Sequence, residues 1–430
     1  MNSEEIELVR VGEIIDEVSK KYDKIWKKRN REIDSKFLVS FIFQKITNKN
    51  KGYGISLMEL WDTYKSNNIE IGKKKIYASS SVCEARQKLH EDIFKEINEK
   101  IILKYGKCKK EELLLNKHRV FAIDGTRVNL PREMVDCEYK TCNKETYYPQ
   151  GLMSCMYNIN TQVVHDYCLE KYMNERVCAA KHIKSLEEGD VVIFDRGYFS
   201  YLMLYQCEES GINPIFRISV NLANKEIQDF MSSDAMDAVV EYKTASTVKN
   251  QLKRQGYDLD FKSIKLRLIK HKMEDQIYLY GTTLIGEEYK AELFGELYHS
   301  RWKIEELYKI SKCLVNLEEF SSKSERGLKQ EIYAHFTLIN LARLFCNISR
   351  IQNGDDKNDV QYNFKNCLNL IGRNIQNLIY KTVKIIANIV SDIIVKISKI
   401  KQRIRPNRKY KRISHKPFNR WIFNRRHYKV

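Results

Sequence analysis

The sequence predicts an α/β fold, a layered core of strands and helices with a run of β structure inserted into it. Three observations predict it. Two short apolar runs, Val120-Phe-Ala-Ile123 and Val191-Val-Ile-Phe194, have the continuity of buried strands, and each stops at a turn, Asp124-Gly125 and Asp195-Arg-Gly197. A helical stretch at about 174–186 lies between them, the alternation that builds a layered sheet. Further on, Ile264, Leu266 and Leu268 alternate with Lys265 and Arg267, the pattern of a half-buried antiparallel strand.

Along the chain, residues 1–115 read as helical. Ser81-Val-Cys-Glu84 matches a capping box, followed at steps of three and four by Val82, Ala85, Leu89, Ile93, Ile97 and Ile101, with Gly106 as the stop. The helices before it, with Ser79-Ser80-Ser81 as a turn, are compatible with a helix-turn-helix or with plain helix packing. Met153–Tyr157 and Gln162–Cys168 read as two strands of a hairpin around Asn158–Thr161. Pro214–Ile218, Val239–Tyr242, Ile264–Leu268 and Ile277–Thr283 read as short strands, and from about 286 to 400 the pattern is helical.

The 430 residues, at about 100–200 per domain, allow roughly two to four units. Hydrophobic residues at 43% and charged at 30% exclude a chain disordered over most of its length. The start has no basic segment followed by an apolar run, and the most apolar late stretch, Leu378–Ile400, is broken by Lys381, Lys384, Asp392 and Lys396. With 11 Cys and no Cys-x2-Cys pair, neither a zinc ribbon nor a disulfide framework is expected, and the thiols suggest a reducing, cytoplasmic setting.

The net charge of +19 fits a polyanionic partner or an AT-rich genome. Its distribution favours the partner. After Asp392 come 14 positive and no negative charges in 38 residues, including Arg403, Arg405, Arg408, Lys409, Lys411 and Arg412, with Tyr410, Phe418, Trp421 and Phe423 interleaved. Such a tail suits a phosphate backbone with occasional stacking.

Three acids stand out. Asp124 and Asp195 each sit where an apolar strand meets a turn, the place that lines ligand crevices in α/β sheets but also a common place for a turn former. Glu305 lies in the helix that begins near Glu287. At about 100° per residue with Tyr298 at zero, Arg301 falls at about 300°, Lys312 at about 320° and Glu305 at about 340°, one stripe about 60° wide. Ile304, Leu307 and Leu314 lie off that stripe and are expected in the core. The stripe alone fits a solvated face with an Arg301–Glu305 pair, or groups lined up for one ligand.

The spacing Tyr298-x2-Arg301-x3-Glu305-x6-Lys312 resembles the Tyr-Arg-Glu-Lys signature of the insertion-sequence-4 family of DDE transposases. Asp124-Gly-Thr126, followed by Asn129-Leu-Pro131, resembles the family's first-Asp motif, and Asp195-Arg-Gly-Tyr198 its second. The acids are 71 and 110 residues apart, room for the family's β insertion, and the resemblance covers about 118–345.

The resemblance implies a ribonuclease-H-like catalytic core interrupted by a β-strand insertion, with a helical N-terminal domain and a helical, basic C-terminal region. The implied divisions are a helical DNA-binding domain at 1–115, the first part of the core at 116–211, the β insertion at 212–284, the second part of the core with the Glu helix at 285–345, a helical region at 346–395 that either pairs two copies or joins the core, and a basic tail at 396–430. It implies a transposase of a bacterial insertion sequence that binds terminal inverted repeats and performs cut-and-paste transposition. Asp124, Asp195 and Glu305 would be the catalytic acids and the ligands of Mg²⁺, with Mn²⁺ as substitute, because clustered carboxylates repel unless a cation neutralises them and oxygen-only donors favour hard ions.

Tyr298, Arg301 and Lys312 would hold phosphates without choosing sequence. Trp302 is expected to pack at the stripe's edge, and Tyr278 or Tyr280 is the nearest candidate to hold a flipped base. The partners would be double-stranded DNA, as transposon ends and target, and a second copy in a synaptic homodimer; the setting would be the bacterial cytoplasm at the nucleoid. The competing readings are a catalytically silent DNA-binding descendant and a metal-dependent nuclease without strand transfer.

Overall fold

The computed structural model describes residues 8, 10–27, 32–70, 75–108, 117–141, 148–273, 276–355 and 360–403. The N-terminal part contains helices α1 (Val11–Trp26), α2 (Ser35–Thr47), α3 (Tyr53–Ser66), α4 (Ser79–Lys88) and α5 (Ile93–Cys108). Strands β1 (Val120–Asn129), β2 (Lys140–Thr141), β3 (Pro149–Asn158) and β4 (Val164–Glu170) follow, then α6 (Glu175–Ile183), β5 (Val191–Phe194), α7 (Tyr201–Glu209) and β6 (Asn213–Ile218). Next come α8 (Lys225–Ser232), β7 (Asp237–Tyr242), α9 (Ser246–Arg254), β8 (Ile264–Met273) and β9 (Gln276–Thr282). The remainder is helical: α10 (Ala291–Ser300), α11 (Trp302–Lys309), a wide π turn over Ile310–Leu314, α12 (Glu325–Gln352), α13 (Phe364–Tyr380) and α14 (Val383–Ser398), with a small ribbon of β10 (Val360–Tyr362) and β11 (Lys401–Arg403).

The first nine strands form one mixed sheet. Both β2 and β4 pair with β3, and the order then runs β3-β1-β5-β6-β9-β8-β7. The pairs β1–β5 and β5–β6 are parallel and the rest antiparallel. Parallel neighbours need a crossover, which α6 and α7 supply. The stretch expected as a β insertion adds its strands to this same sheet: β6 continues the parallel set and β9, β8 and β7 extend it antiparallel.

Alternation sorts the strands' side chains onto two faces. Val120, Ala122, Val191, Ile193 and Ile215 share a core with α10–α14 and the N-terminal helices. Phe121, Ile123, Val192, Phe194 and Phe216 share another with α6, α7 and α8. Helix α12 mixes apolar and polar residues and is buried from Gly327 to Ser349 with few interruptions. Polar side chains tie it to the rest: the Asn340 amide donates to Val164 O at 2.7 Å and to Asn98 Oδ1 at 2.7 Å, and its Oδ1 accepts from Val164 N at 2.8 Å.

Two local readings are corrected. The helix expected to run unbroken from Val82 to Ile101 is interrupted: α4 starts at Ser79, no side chain caps it, and it ends at Lys88. The amide of Gln330 takes the carbonyls of Arg86 and Leu89 at 2.9 and 2.7 Å, so a tertiary contact satisfies acceptors that continuation of the helix would have used. Helix α5 in turn runs through Gly106 to Cys108. No helix among the described residues is long and apolar enough to cross a membrane.

Candidate active site

Strands β1 and β5 are parallel and in register, with Ile123 opposite Phe194. The next residue in each is an acid. Asp124 and Asp195 therefore stand side by side where two neighbouring strands lose their pairing. Two residues beyond Ala122 and Ile193, both project onto the face covered by α10 and α11.

Phe294, Ile304 and Leu307 seat those helices on the sheet. The helix expected from Glu287 tightens at Arg301, where Arg301 N bonds to Tyr298 O and Ile304 N to Arg301 O, so α10 and α11 are separate elements. The polar stripe survives the break. Tyr298 donates its hydroxyl to Asp195 Oδ1 at 3.0 Å. Arg301 spans two acids, with Nη1 3.5 Å from Asp124 Oδ2 and Nη2 2.8 Å from Glu305 Oε1. Lys312 Nζ donates to Thr126 Oγ1 at 2.8 Å and also to Arg127 O. The six residues expected from the sequence at this point thus converge on one end of the sheet.

Two stripe-edge expectations fail. Leu314 is 37% exposed rather than in the core, because the π turn at Ile310–Leu314 is wider than an α turn and shifts the helix phase. Trp302 is 55% exposed rather than packed, with the Arg301 guanidinium 6.0 Å from its ring centre. Tyr280 is buried against the Tyr298 ring, while Arg217 lies 4.7 Å over the less buried Tyr278. In the basic tail, Arg405, Arg408, Lys409, Lys411 and Arg412 lie outside the described residues, and Arg403 is described only as backbone, paired in the ribbon opposite Val360.

The electrostatics mark the acids as a cluster. Burial pushes the Asp124 carboxyl up to about 6, against the pull of Arg301 and with added repulsion from Glu175 and Asp195. Burial, and less strongly Asp195, raise Glu175 against the pull of the Tyr198 hydroxyl. The carboxylates are hard oxygen donors, which suit Mg²⁺ or Mn²⁺. Arg301 sits between Asp124 and Glu305, and its buried Nε has no hydrogen-bond partner. No three acidic, His or Cys side chains among the described residues are gathered closely enough to bind an ion with the side chains so placed.

Three groups here were not singled out from the sequence. Glu175 reaches the cluster from the other face of the sheet; as the first residue after the cap of α6 it reads locally as a partner for the helix dipole. Tyr308 donates its hydroxyl to the Asp124 carbonyl, and Tyr198 follows Asp195 by three residues with its side chain buried. An aromatic at helical or turn spacing reads as ordinary core, so only the Asp-Arg-Gly-Tyr match pointed near them.

A second polar cluster lies deeper in the same sheet. His182 Nδ1 is 2.7 Å from Asp166 Oδ2, and its Nε2 is 3.1 Å from Ser154 Oγ. The order Ser–His–Asp is that of a hydrolytic triad, yet Ser154 and His182 have no exposed surface. A nucleophile that cannot meet substrate leaves an anchor for α6 and β4. Burial works against the imidazolium, but Asp166 outweighs it and lifts His182 to about 9, while Asp166 is held down to about 2.

A raised histidine stabilises the fold fully below the unfolded value of about 6.5 and ceases to do so as pH rises through about 9. The depressed Asp166 contributes above about 3.8 and its share is lost as pH falls towards about 2. Wild-type unfolding free energy should therefore drop on the order of 3 kcal/mol more between pH 7 and 10 than that of His182→Gln. Denaturant titrations at both pH values check this; parallel losses would mean His182 is not charged in the fold.

A family model described as a transposase DDE domain matches residues 115–341. No curated protein matches the sequence. Among solved structures, the cryo-electron microscopy structure of a piggyBac transposase synaptic complex with hairpin DNA is 9% identical, covers 90% of this chain and 84% of that chain, and superposes with a TM-score of 0.43. That likeness is too distant to carry weight.

Proposed function

Because the chain belongs to the transposase DDE domain family, matched over residues 115–341, we propose that it is an insertion-sequence transposase that cuts DNA at transposon ends and joins the freed ends to a target. One observation carries the reading: in-register parallel strands set Asp124 beside Asp195 beneath α10, α11 and the π turn, which together bear Tyr298, Arg301, Glu305 and Lys312. In this reading the layered core around that sheet is ribonuclease-H-like.

Asp124, Asp195 and Glu305 would hold the Mg²⁺ ions, with Mn²⁺ as substitute. When bound, a pair of such ions activates the attacking oxygen and steadies the leaving one at phosphorus. The side chains do the rest. Arg301 exchanges a carboxylate for a phosphate, its planar fork fitting either. Tyr298 keeps the Asp195 carboxylate oriented. Lys312 adds a charge beside the Thr126 end of β1. Water is the first nucleophile and a 3′-oxygen leaves; the resulting 3′-hydroxyl then attacks the next strand, so no covalent enzyme–DNA bond is needed.

The net charge of +19 and the basic tail support DNA as partner. Two copies would hold the two ends, and α14 offers an outward apolar set, Val383, Ile385 and Val395, for their contact. The N-terminal helices would take part in holding DNA.

The test uses duplex DNA carrying the sequences that flank the gene. Purified protein with Mg²⁺ should cut at the repeat boundary, leave a 3′-hydroxyl, join it to target DNA and do none of this in EDTA. Tight binding without cleavage under Mg²⁺ or Mn²⁺ would leave a DNA-binding descendant, and cleavage without joining a nuclease.

A further inference from the structure

We propose that Glu175 is a fourth carboxylate of the metal centre, binding a divalent cation together with Asp124 and Asp195; the inference rests on the transposase reading of that centre. The placement of the side chain carries it. Asn174 caps α6 by accepting from Val177 N, which starts the helix so that Glu175 is its first residue. The neighbouring Arg176 donates to Gly197 O at 2.9 and 2.7 Å, which ties this end of α6 to the loop that follows Asp195.

Glu175 then lies against the β1 backbone next to Asp124. A Cβ built on Gly125 would stand 3.0 Å from Glu175 Cγ and 3.1 Å from its Oε1. A glycine after Asp124 is thus what lets this carboxylate approach, a packing reason for the Asp-Gly-Thr sequence. Ala179 and Ile183 of the same helix pack into the core on the sheet face opposite Glu305. The acids therefore approach the strand ends from both faces, Glu305 from one and Glu175 from the other.

A buried hydroxyl points the same way. The Tyr198 side chain is 1% exposed, and its hydroxyl meets the Glu175 carboxylate only weakly, with no hydrogen bond of good geometry. The charges it feels are those of Glu175, Asp124 and Asp195. A buried donor so poorly satisfied is costly unless something else completes the group, and a hydrated cation brings oxygen atoms able to accept from it. Without a cation Glu175 adds repulsion that the Tyr198 hydroxyl relieves only in part; with one it adds a ligand on the side that Glu305 does not reach.

The test separates contact with metal from support of the fold. The full-length protein is titrated with Mn²⁺ and free ion is read by electron paramagnetic resonance, for wild type, Glu175→Gln and Asp195→Asn, with melting curves to confirm folding. Glu175→Gln should weaken Mn²⁺ binding by on the order of tenfold or more. Glu175→Cys should cut end DNA poorly with Mg²⁺ and recover with the thiophilic Cd²⁺, because a thiolate ligates soft ions. Structural support alone would give neither the binding loss nor the metal-selective rescue.

Wild-type Mn²⁺ affinity in Glu175→Gln, with Asp195→Asn impaired, would overturn this proposal and leave the transposase reading standing. No Mn²⁺ binding by wild type, and no cleavage, would overturn both.

Discussion

Asp195→Asn is expected to abolish DNA cleavage and joining while binding to transposon ends persists. The substitution keeps the shape of the side chain. The amide oxygen can still accept the Tyr298 hydroxyl now bonded to Asp195 Oδ1 at 3.0 Å, so the seat of α10 on the sheet is retained. What goes is one negative charge among Asp124, Glu175 and Asp195, the cluster whose mutual repulsion helps to raise Asp124. A neutral amide is a poorer ligand for a hard cation. The loss should exceed the roughly 10–100-fold that removal of an outer-shell partner costs a metal site.

DNA affinity should hold or rise slightly, because a negative charge facing phosphates has been removed. Cleavage assays beside filter binding measure both. Lost binding with residual cleavage would end the assignment of Asp195 as a ligand. Asp195→Asn also separates the DNA-binding descendant, in which variant and wild type alike fail to cleave, from a nuclease or a transposase, which both lose cleavage.

Sequence and site met most closely where local chemistry and tertiary position coincide. Asp124 and Asp195 were legible because each ends an apolar run at a turn. Their being neighbours was not, since nothing local sets the register of Ile123 on Phe194. The stripe of Tyr298, Arg301, Glu305 and Lys312 was legible from helical angles even though the helix breaks at Arg301, because the tightened turn there leaves the polar residues on either side of it facing the strand ends. Leu314 was misplaced because the π turn lies past that break.

Glu175 was invisible for the opposite reason: its local role, an acid in a first helical turn, is complete without the site. The α4–α5 break was equally hidden, since the amide that takes the Arg86 and Leu89 carbonyls belongs to Gln330. Periodicity reports which face of a helix is apolar; it does not report where a distant side chain ends one.

The same contact region gives the largest expected effect on stability. Arg86 is buried with Glu331, 2.7 Å between Nη2 and Oε1, and each side chain is 3% exposed. Its other donors are used as well: Nε to Gln330 Oε1 at 2.8 Å, Nη1 to the Tyr53 hydroxyl, and Nη2 to Gly327 O at 2.6 Å. Glu331 also accepts from Ser321 N at 2.9 Å. Arg86→Met fills much of the same volume but leaves the buried Glu331 carboxylate without its counter-charge, held only by its bonds from Ser321. Breaking a buried pair from one side costs about 3–5 kcal/mol, far more than the roughly 0–1 kcal/mol of an exposed pair such as Lys396–Asp392.

Replacing both partners, Arg86→Met with Glu331→Leu, should recover most of that loss, because no charge is then left unpaired. Urea unfolding of the single and double variants makes the comparison. The result bears on how the chain is organised, since Arg86 belongs to α4 and Glu331 to α12, so the pair joins the N-terminal helices to the helix that backs the catalytic sheet. A large single-variant loss that the double variant recovers means residues 1–115 fold as one body with the core. A small loss in the single variant means that this pair does little to hold those helices to the core, and that they could move as a unit when DNA is bound.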